Sequence, residues 1–344
     1  MTTNSKINFA IVGYGHIGKR YEKIIAQNPN SQLIGICDPL MPQTQETPLF
    51  STLPDLITFL QALPPQEIPP VICICTPNGL HAEQSIFCLS QGFHVICEKP
   101  MALTTADAHQ MMDTAHKFNR SIFCVMQNRY SPPAVWLKEL INSQKLGKIV
   151  MVQVHCFWNR DDRYYIPGSW RGTESLDGGT LFTQFSHFLD LLCWLFNKPT
   201  IVSGNFANLM HQDIFSFEDT GTFQFTLPDN GIGVFNYSTA VWDQNLESSI
   251  TILGSQGSVQ IAGQYMNEVK VCHIKDYTMP TLAKGNPPND YGQFKGSAAN
   301  HEYVIANVVD TLSGKAEMTV KPEEGLKVIE LIEEIYSIRD QQKK

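Results

Sequence analysis

Six consecutive residues constrain this chain more than any others: Gly13-Tyr14-Gly15-His16-Ile17-Gly18. A short apolar run, Ile7 to Val12, precedes them and reads as a strand. A helical segment follows, then a second strand, Gln32 to Cys37, that closes on Asp38. Glycine-rich turns are common, and an ordinary strand–turn–helix is the competing reading. Here the glycines open a helix directly after a strand, with an acidic residue about twenty positions on, which is the setting of a dinucleotide-binding turn. Gly13 permits the tight turn, Gly15 lets backbone approach a pyrophosphate, and Gly18 allows close helix–strand packing. Amides at the helix N-terminus then face the phosphates. Asp38 suits an adenosine ribose diol. Neither Arg nor Lys stands in Pro39-Leu40-Met41-Pro42 to neutralise a 2′-phosphate, so NAD is expected over NADP.

The chain has 344 residues, too many for one compact mononucleotide-type unit, so two domains are expected. A net charge of −8 argues against nucleic acid or an anionic membrane as main partner. No apolar run has the length of a membrane span, and Met1-Thr2-Thr3-Asn4-Ser5-Lys6 lacks a signal peptide's apolar region. Nine cysteines is an odd number, and Cys37, Cys73, Cys75, Cys97 and Cys124 fall in apolar strand-like runs, where free cysteine behaves as a small hydrophobe. Cys73-x-Cys75 lacks metal-ligand spacing, and no metal is expected. Reduced thiols fit the cytoplasm.

The rhythm changes near residue 127. Before it, strands Ile7–Val12, Gln32–Cys37, Val71–Cys75, His94–Cys97 and Ser121–Met126 alternate with helical stretches such as His81–Gln91 and Thr105–Phe118. This predicts a parallel sheet covered on both faces. Pro64 to Pro70, with four prolines, predicts a loop. Beyond Pro133, the runs Ile149–Trp158, Ile201–Leu209, Thr220–Leu227, Gly233–Thr239, Ser248–Leu253, Ser258–Ile261 and Glu268–His273 read as a meander, with a hairpin turn at Leu227-Pro228-Asp229-Asn230-Gly231. Helices are expected at Leu181–Phe196 and Pro322–Gln341. The expected fold is α/β: a dinucleotide-binding domain over 1–127, then an α+β domain over 128–344 with a large, mostly antiparallel sheet. The terminal helix is free to pack back on the first domain.

At Glu98-Lys99-Pro100 the chain resembles the Gfo/Idh/MocA oxidoreductase family. Thr76-Pro77-Asn78-x-x-His81 is similar to that family's loop beside the nicotinamide half of the cofactor. Asp177-Gly178-Gly179-Thr180-Leu181, followed by Ser186-His187 and Asp190, is similar to its active-site helix. Gln127-Asn128-Arg129, Trp158-Asn159-Arg160, Tyr164-Tyr165, Trp170-Arg171-Gly172-Thr173 and Gly296-Ser297-x-x-Asn300-His301 further resemble the WlbA-like UDP-N-acetyl-glucosaminuronic acid 3-dehydrogenases. The resemblance implies NAD-dependent oxidation of a sugar C3 hydroxyl in the biosynthesis of surface polysaccharide amino sugars, by a cytoplasmic dimer or tetramer. It implies a cofactor held by Gly13, Gly15, His16, Ile17, Asp38, Thr76, Asn78, His81, Glu98, Gln127, Trp170 and Arg171. It implies substrate contacts from Lys99, Arg160, Tyr164, Tyr165, Gln184, His187, Ser297, Asn300 and His301, with Lys99 and His187 catalytic.

The residue types suit that chemistry. Oxidising a secondary alcohol needs a hydride acceptor and a base for the hydroxyl proton. Lys99 ends a parallel strand, where open α/β sheets place ligands. There it either stabilises alkoxide charge or takes the proton, and the sequence leaves open whether Lys99 or His187 is the acceptor. A surface lysine paired with Glu98 is the plain alternative. Asp190, one turn beyond His187, either orients that ring or holds the helix. Many relatives carry Asp four residues before the histidine; Thr183 stands there, followed by Gln184, which weakens an inositol-type reading. Arg160, Arg163 and Arg171, interleaved with Trp158, Tyr164, Tyr165 and Trp170, suit an anionic sugar nucleotide. A solvated structural cluster is the alternative, and for Ser297 and Asn300 it is helix capping. Two other functions stay open: a free-sugar or cyclitol dehydrogenase, and an NAD-binding regulator without catalysis.

Overall fold

A computed structural model describes residues 6–40, 47–64 and 69–342. The start of the chain, Met41, Pro42 and most of the expected prolyl loop lie outside the described residues. The chain forms two compact units: residues up to Val125 together with His301–Leu326, and Met126–Asn300 together with the residues from Lys327 on.

The first unit alternates β1 (Ile7–Val12), α1 (His16–Gln27), β2 (Ser31–Cys37), β3 (Leu49–Phe50), α2 (Leu53–Gln61), β4 (Val71–Ile74), α3 (His81–Ser90), β5 (His94–Cys97), α4 (Thr105–Lys117) and β6 (Ile122–Cys124). The strands form one parallel sheet in the order β3-β2-β1-β4-β5-β6. Every residue of β1, β4, β5 and β6 is buried, as a sheet covered on both faces demands. Thr52 and Thr104 cap α2 and α4 by accepting from the amides of Asp55 and Asp107, at 3.3 and 3.0 Å. The connection order reverses at β1, between β2 and β4, which is where such sheets bind ligands beyond their carboxyl ends.

The second unit begins with α5 (Pro132–Asn142) and β7 (Ile149–Phe157), then a short α6 (Glu174–Asp177) and α7 (Ser186–Phe196). Strands β8 (Thr200–Ala207), β9 (Thr220–Thr226), β10 (Ile232–Ser238), β11 (Glu247–Gly254), β12 (Gly257–Ala262) and β13 (Glu268–Ile274) complete a seven-stranded sheet ordered β13-β12-β11-β7-β10-β9-β8. All pairs are antiparallel except β7 with β10. A small ribbon, β14 (Pro288–Asp290) with β15 (Lys295–Ala298), precedes α8 (His301–Leu312) of the first unit. The terminal α9 (Pro322–Gln342) starts in the first unit and ends in the second. The linear division at 127/128 does not provide for this return of α8.

Val152, Val154 and Cys156 are at most 1% exposed within this single chain. With Phe223, Phe235, Tyr237, Ile250 and Ile252 they form the inner face of the sheet, against which Phe185, just before α7, packs on Trp158 and Tyr237, and Phe188 of α7 packs on Trp158. Their alternation therefore reports an intrachain core. The expected hairpin turn is present: Asn230 adopts φ 62° and its amide donates to Leu227 O at 2.9 Å. The expected single helix 181–196 is two pieces, a π-helical turn over Leu181–Phe185 and then α7. Helix α5 went unread, although Ser131-Pro132-Pro133 is a helix start, with proline in the first turn where no amide partner is lost.

Candidate functional site

In the first unit the carboxyl ends of β1, β2, β4 and β5 bring together the glycine turn, Asp38, Thr76 and Glu98-Lys99. Gly13 has φ +89°, and a Cβ there would meet Cys75 backbone at 2.8 Å. A Cβ on Gly18 would lie 2.2 Å from Gly13 O, so both positions require glycine. Gly15 differs: a Cβ would touch nothing within 4 Å. It begins α1 with no side-chain cap and no acidic residue in the first turn, so the helix presents amides to an open space. Gly15 and His16 are exposed and Ile17 half-buried at that mouth. This arrangement fits a pyrophosphate, whose negative charge the helix terminus favours. Asp38 accepts from Tyr14 N at 2.7 Å and from Leu40 N at 2.8 Å, so its carboxylate also fixes the glycine turn that it faces.

Thr76 donates through Oγ1 to Gln84 at 2.6 Å, and Asn78 is buried in the turn that leads into α3. His81 is 1% exposed, with Nδ1 2.7 Å from Pro100 O and Nε2 2.9 Å from Thr76 O. Burial pushes its pKa down, against the opposing effects of those carbonyls and of Glu98. Its ring thus faces backbone carbonyls on both nitrogens.

Glu98 is also buried. Tyr21 OH donates to Oε1 at 3.0 Å, His301 Nε2 lies 3.4 Å from the same oxygen, and Lys99 N is 3.4 Å from Oε2. Burial pushes the Glu98 carboxyl up, but the bonds and charges of His301, Lys99 and Tyr21 outweigh it and hold the group below its usual value. His301, expected beside a substrate, stands edge-on to Tyr21 within the first unit, 1% exposed. Tyr21 was not foreseen; its place on the buried face of α1, at helical spacing from Gly18 and Ile25, was the available signal. Lys99 is half-buried at the end of β5 and precedes a cis Pro100.

In the second unit His187 lies in the first turn of α7, 4% exposed. The helix is fixed from several sides. Asp190, three residues on, takes a two-point ion pair from Arg129: Nε to Oδ2 at 2.9 Å and Nη2 to Oδ1 at 2.6 Å. Asp190 therefore holds the helix. The π turn before it starts where Thr180 donates to Glu218 at 2.7 Å and Leu181 N donates to Tyr336 OH at 3.2 Å. Glu218 also receives Tyr336 OH and Arg339 Nη1, both at 2.8 Å. Gly179, at φ +110°, leaves room for that tyrosine, since a Cβ would lie 2.6 Å from its oxygen. Turns of this kind are frequent at functional sites. Thr183 donates to Asp177 O at 3.0 Å. Burial pushes the Asp177 carboxyl up, against bonds from Thr183 and from Gly172 N.

The arginine–aromatic cluster is real but unevenly available. Arg160 is buried, with Nη1 3.1 Å from Asn245 Oδ1 and Nη2 3.1 Å from Lys295 O, and stacks 4.7 Å from the Trp158 ring and 5.0 Å from Tyr164. Burial lowers its pKa. Arg163 is held at the surface by Asp161, Nη2 to Oδ2 at 2.6 Å. Arg171 is half-buried over Tyr164 at 4.6 Å, with Trp170 at 5.1 Å. Tyr164, which is T-shaped against Tyr165, accepts from Gln184 Nε2 at 3.1 Å. Ser297 donates to Asn128, and Asn300 Nδ2 donates to Gln127 O and Ser131 Oγ, both at 3.1 Å. These two side chains brace the Gln127–Tyr130 turn, whose buried Gln127 Oε1 has no protein partner. Among the described residues no cluster of His, Cys, Asp and Glu could hold a metal, and no helix is long and apolar enough to cross a membrane.

Residues 7–125 match an oxidoreductase family with an NAD-binding Rossmann fold, and 135–260 match the GFO/IDH/MocA C-terminal domain. The WlbA dehydrogenase of Chromobacterium violaceum, solved with NADH and UDP-GlcNAcA, is 32% identical over 98% of this chain and 95% of that one, with a TM-score of 0.85. The Bordetella pertussis WlbA dehydrogenase, with the same ligands, is 31% identical over 98% and 97%, with a TM-score of 0.83. Among curated proteins, the 2,7-anhydro-N-acetylneuraminate hydratase of Mediterraneibacter gnavus is 27% identical over 74% of this chain and 67% of its own. The D-glucoside 3-dehydrogenase of Escherichia coli is 27% identical over 59% of this chain and 58% of its own length. With both family domains in order and a glycine turn that fits the dinucleotide, the chain belongs to the Gfo/Idh/MocA family of NAD-dependent oxidoreductases.

Proposed function

We propose that the protein oxidises a secondary hydroxyl, at C3, of a UDP-linked N-acetyl uronic acid. One observation carries this reading: likeness over 98% of the chain to two enzymes solved with NADH and UDP-GlcNAcA, at 31–32% identity. NAD, when bound, supplies the hydride acceptor. Lys99 and His187 are the proposed proton-handling pair, Lys99 stabilising the developing alkoxide and either group taking the proton. Gly15, His16, Ile17, Asp38, Asn78 and Glu98 are the proposed cofactor contacts, and Arg171 with Tyr164 and Gln184 the proposed substrate contacts. Arg171 suits the task best of the three arginines, because its guanidinium is stacked and half-open, whereas those of Arg160 and Arg163 are bonded to protein acceptors. A second reading, oxidation of a free glucoside or cyclitol, draws on the relatives named D-glucoside 3-dehydrogenase and scyllo-inositol 2-dehydrogenase, at 27% and 26% identity.

A thermal-shift and NADH-absorbance panel with NAD or NADP, combined with UDP-GlcNAcA, methyl glucoside, glucose 6-phosphate and scyllo-inositol, separates the readings. Stabilisation and turnover are expected with NAD and UDP-GlcNAcA. Turnover of a free sugar or cyclitol alone would transfer the assignment, and NAD binding without any turnover would favour a regulator.

A homo-oligomer, dimer or tetramer, is part of the same proposal. Met151 pairs across the sheet with Ile232 and Leu253, giving an apolar row on the face opposite the core, with Ile232 53% and Leu253 38% exposed. Sedimentation at micromolar concentration is expected to show no monomer; a purely monomeric species overturns this part.

A further inference from the structure

We infer that His81 is a positioning residue that sets the place of Lys99 by tying the loop after β4 to the segment after β5. The inference rests on the reading of Lys99 as the catalytic lysine. Strands β4 and β5 are adjacent and parallel, so their carboxyl-end loops emerge side by side: Cys75 to Asn78 from one, Glu98 to Pro100 from the other. His81 opens α3, and its ring is the bridge: a neutral imidazole carries one N–H, which on Nδ1 donates to Pro100 O and ties α3 to the neighbouring segment. Nε2 lies 2.9 Å from Thr76 O in its own loop and Nδ1 lies 2.7 Å from Pro100 O in the neighbouring one. Lys99 immediately precedes the carbonyl so held.

The first loop is itself fixed. Gln84, three residues further along α3, receives Thr76 Oγ1 at 2.6 Å. Thr76 Cγ2 and the Cys75 backbone close on the missing Cβ of Gly13, and Cys75 N donates to Val12 O at 2.8 Å. The glycine turn, the Thr76 loop and α3 are thus held together by direct contacts, and His81 extends them to the lysine segment. A ring 1% exposed has no open face for a ligand. What it controls is distance.

Five proteins test this: wild type, His81→Phe, His81→Gln, Lys99→Met and the His81→Phe/Lys99→Met double variant. His81→Phe keeps a planar ring and removes both nitrogens. With NAD and UDP-GlcNAcA it is expected to lower kcat about ten- to a hundredfold, the scale of a misplacement of about 1 Å, while the NAD Kd changes less than about threefold. In the Lys99→Met background it is expected to cost little more, because both changes act on one group. His81→Gln, whose amide reaches one carbonyl, is expected to recover part of kcat. A second readout needs no substrate. After reductive ¹³C-methylation, the Lys99 resonance, identified by its loss in Lys99→Met, is expected to move in His81→Phe while other lysines stay.

Three results would overturn the inference: an unmoved Lys99 resonance with unchanged kcat, a penalty fully additive with Lys99→Met, or a loss confined to NAD affinity. Near wild-type turnover by Lys99→Met would instead remove the functional reading on which the inference rests. The two failures are therefore distinguishable.

Discussion

Lys99→Met is expected to lower kcat at least about a hundredfold, the scale of losing a positioned proton-transfer group, with little change in NAD affinity. Methionine keeps most of the stem and removes the charge, so what is lost is an interaction made mainly in the transition state. The lysine is suited to that role by its place. It is half-buried at the end of β5, and its backbone amide lies 3.4 Å from a Glu98 carboxylate held below its usual pKa. His187→Asn is expected to act likewise from the first turn of α7. Cys73→Ala is the control: a fully buried thiol whose pKa burial pushes far up cannot act as a nucleophile, so it should alter stability and leave turnover nearly untouched. Steady-state kinetics and NAD titrations on the three purified variants decide it. If Lys99→Met and His187→Asn both turn over at near wild-type rate, the site assignment fails while the fold stands.

Periodicity carried most of the architecture because the strands of the first unit are short, apolar and punctuated. Ile7–Val12 and His94–Cys97 have the expected bounds, and the other parallel strands that were foreseen differ by one or two residues at an end. The glycine turn was readable because each glycine answers a local steric demand. Three kinds of feature were not readable. The β7–β10 pair is parallel, and strand order is a long-range property that alternation of side chains does not encode. The π turn at Leu181–Phe185 depends on Glu218 and Tyr336, distant in sequence and joined to it only by folding. The surroundings of His81 and His301 were not readable because a buried imidazole and an exposed one look alike in sequence. His301 sits one residue from Asn300, yet the two belong to different units.

Asp190→Ala is expected to destabilise the second unit by about 3–5 kcal/mol, because it leaves the Arg129 guanidinium buried without its counter-charge. Both side chains are 1% exposed, and the pair is two-pointed, with Arg129 also 5.3 Å from the Trp194 ring. Such a pair is costly to halve and cheap to replace whole, so Arg129→Met with Asp190→Leu should recover most of the loss. The chain offers a selective probe. All five tryptophans, Trp136, Trp158, Trp170, Trp194 and Trp242, lie in the second unit, so their fluorescence reports its unfolding alone. With a urea slope of about 2–3 kcal/mol/M, the midpoint should fall by about 1.5 M in Asp190→Ala. The functional consequence follows from geometry: Asp190 is one turn beyond His187, and Arg129 belongs to the Gln127–Tyr130 turn braced by Asn300. Loss of the pair loosens the helix that carries the histidine, so kcat should fall even where the unit remains folded. An unchanged midpoint in Asp190→Ala would mean that the guanidinium finds another partner, and the ion pair would no longer explain how α7 is held.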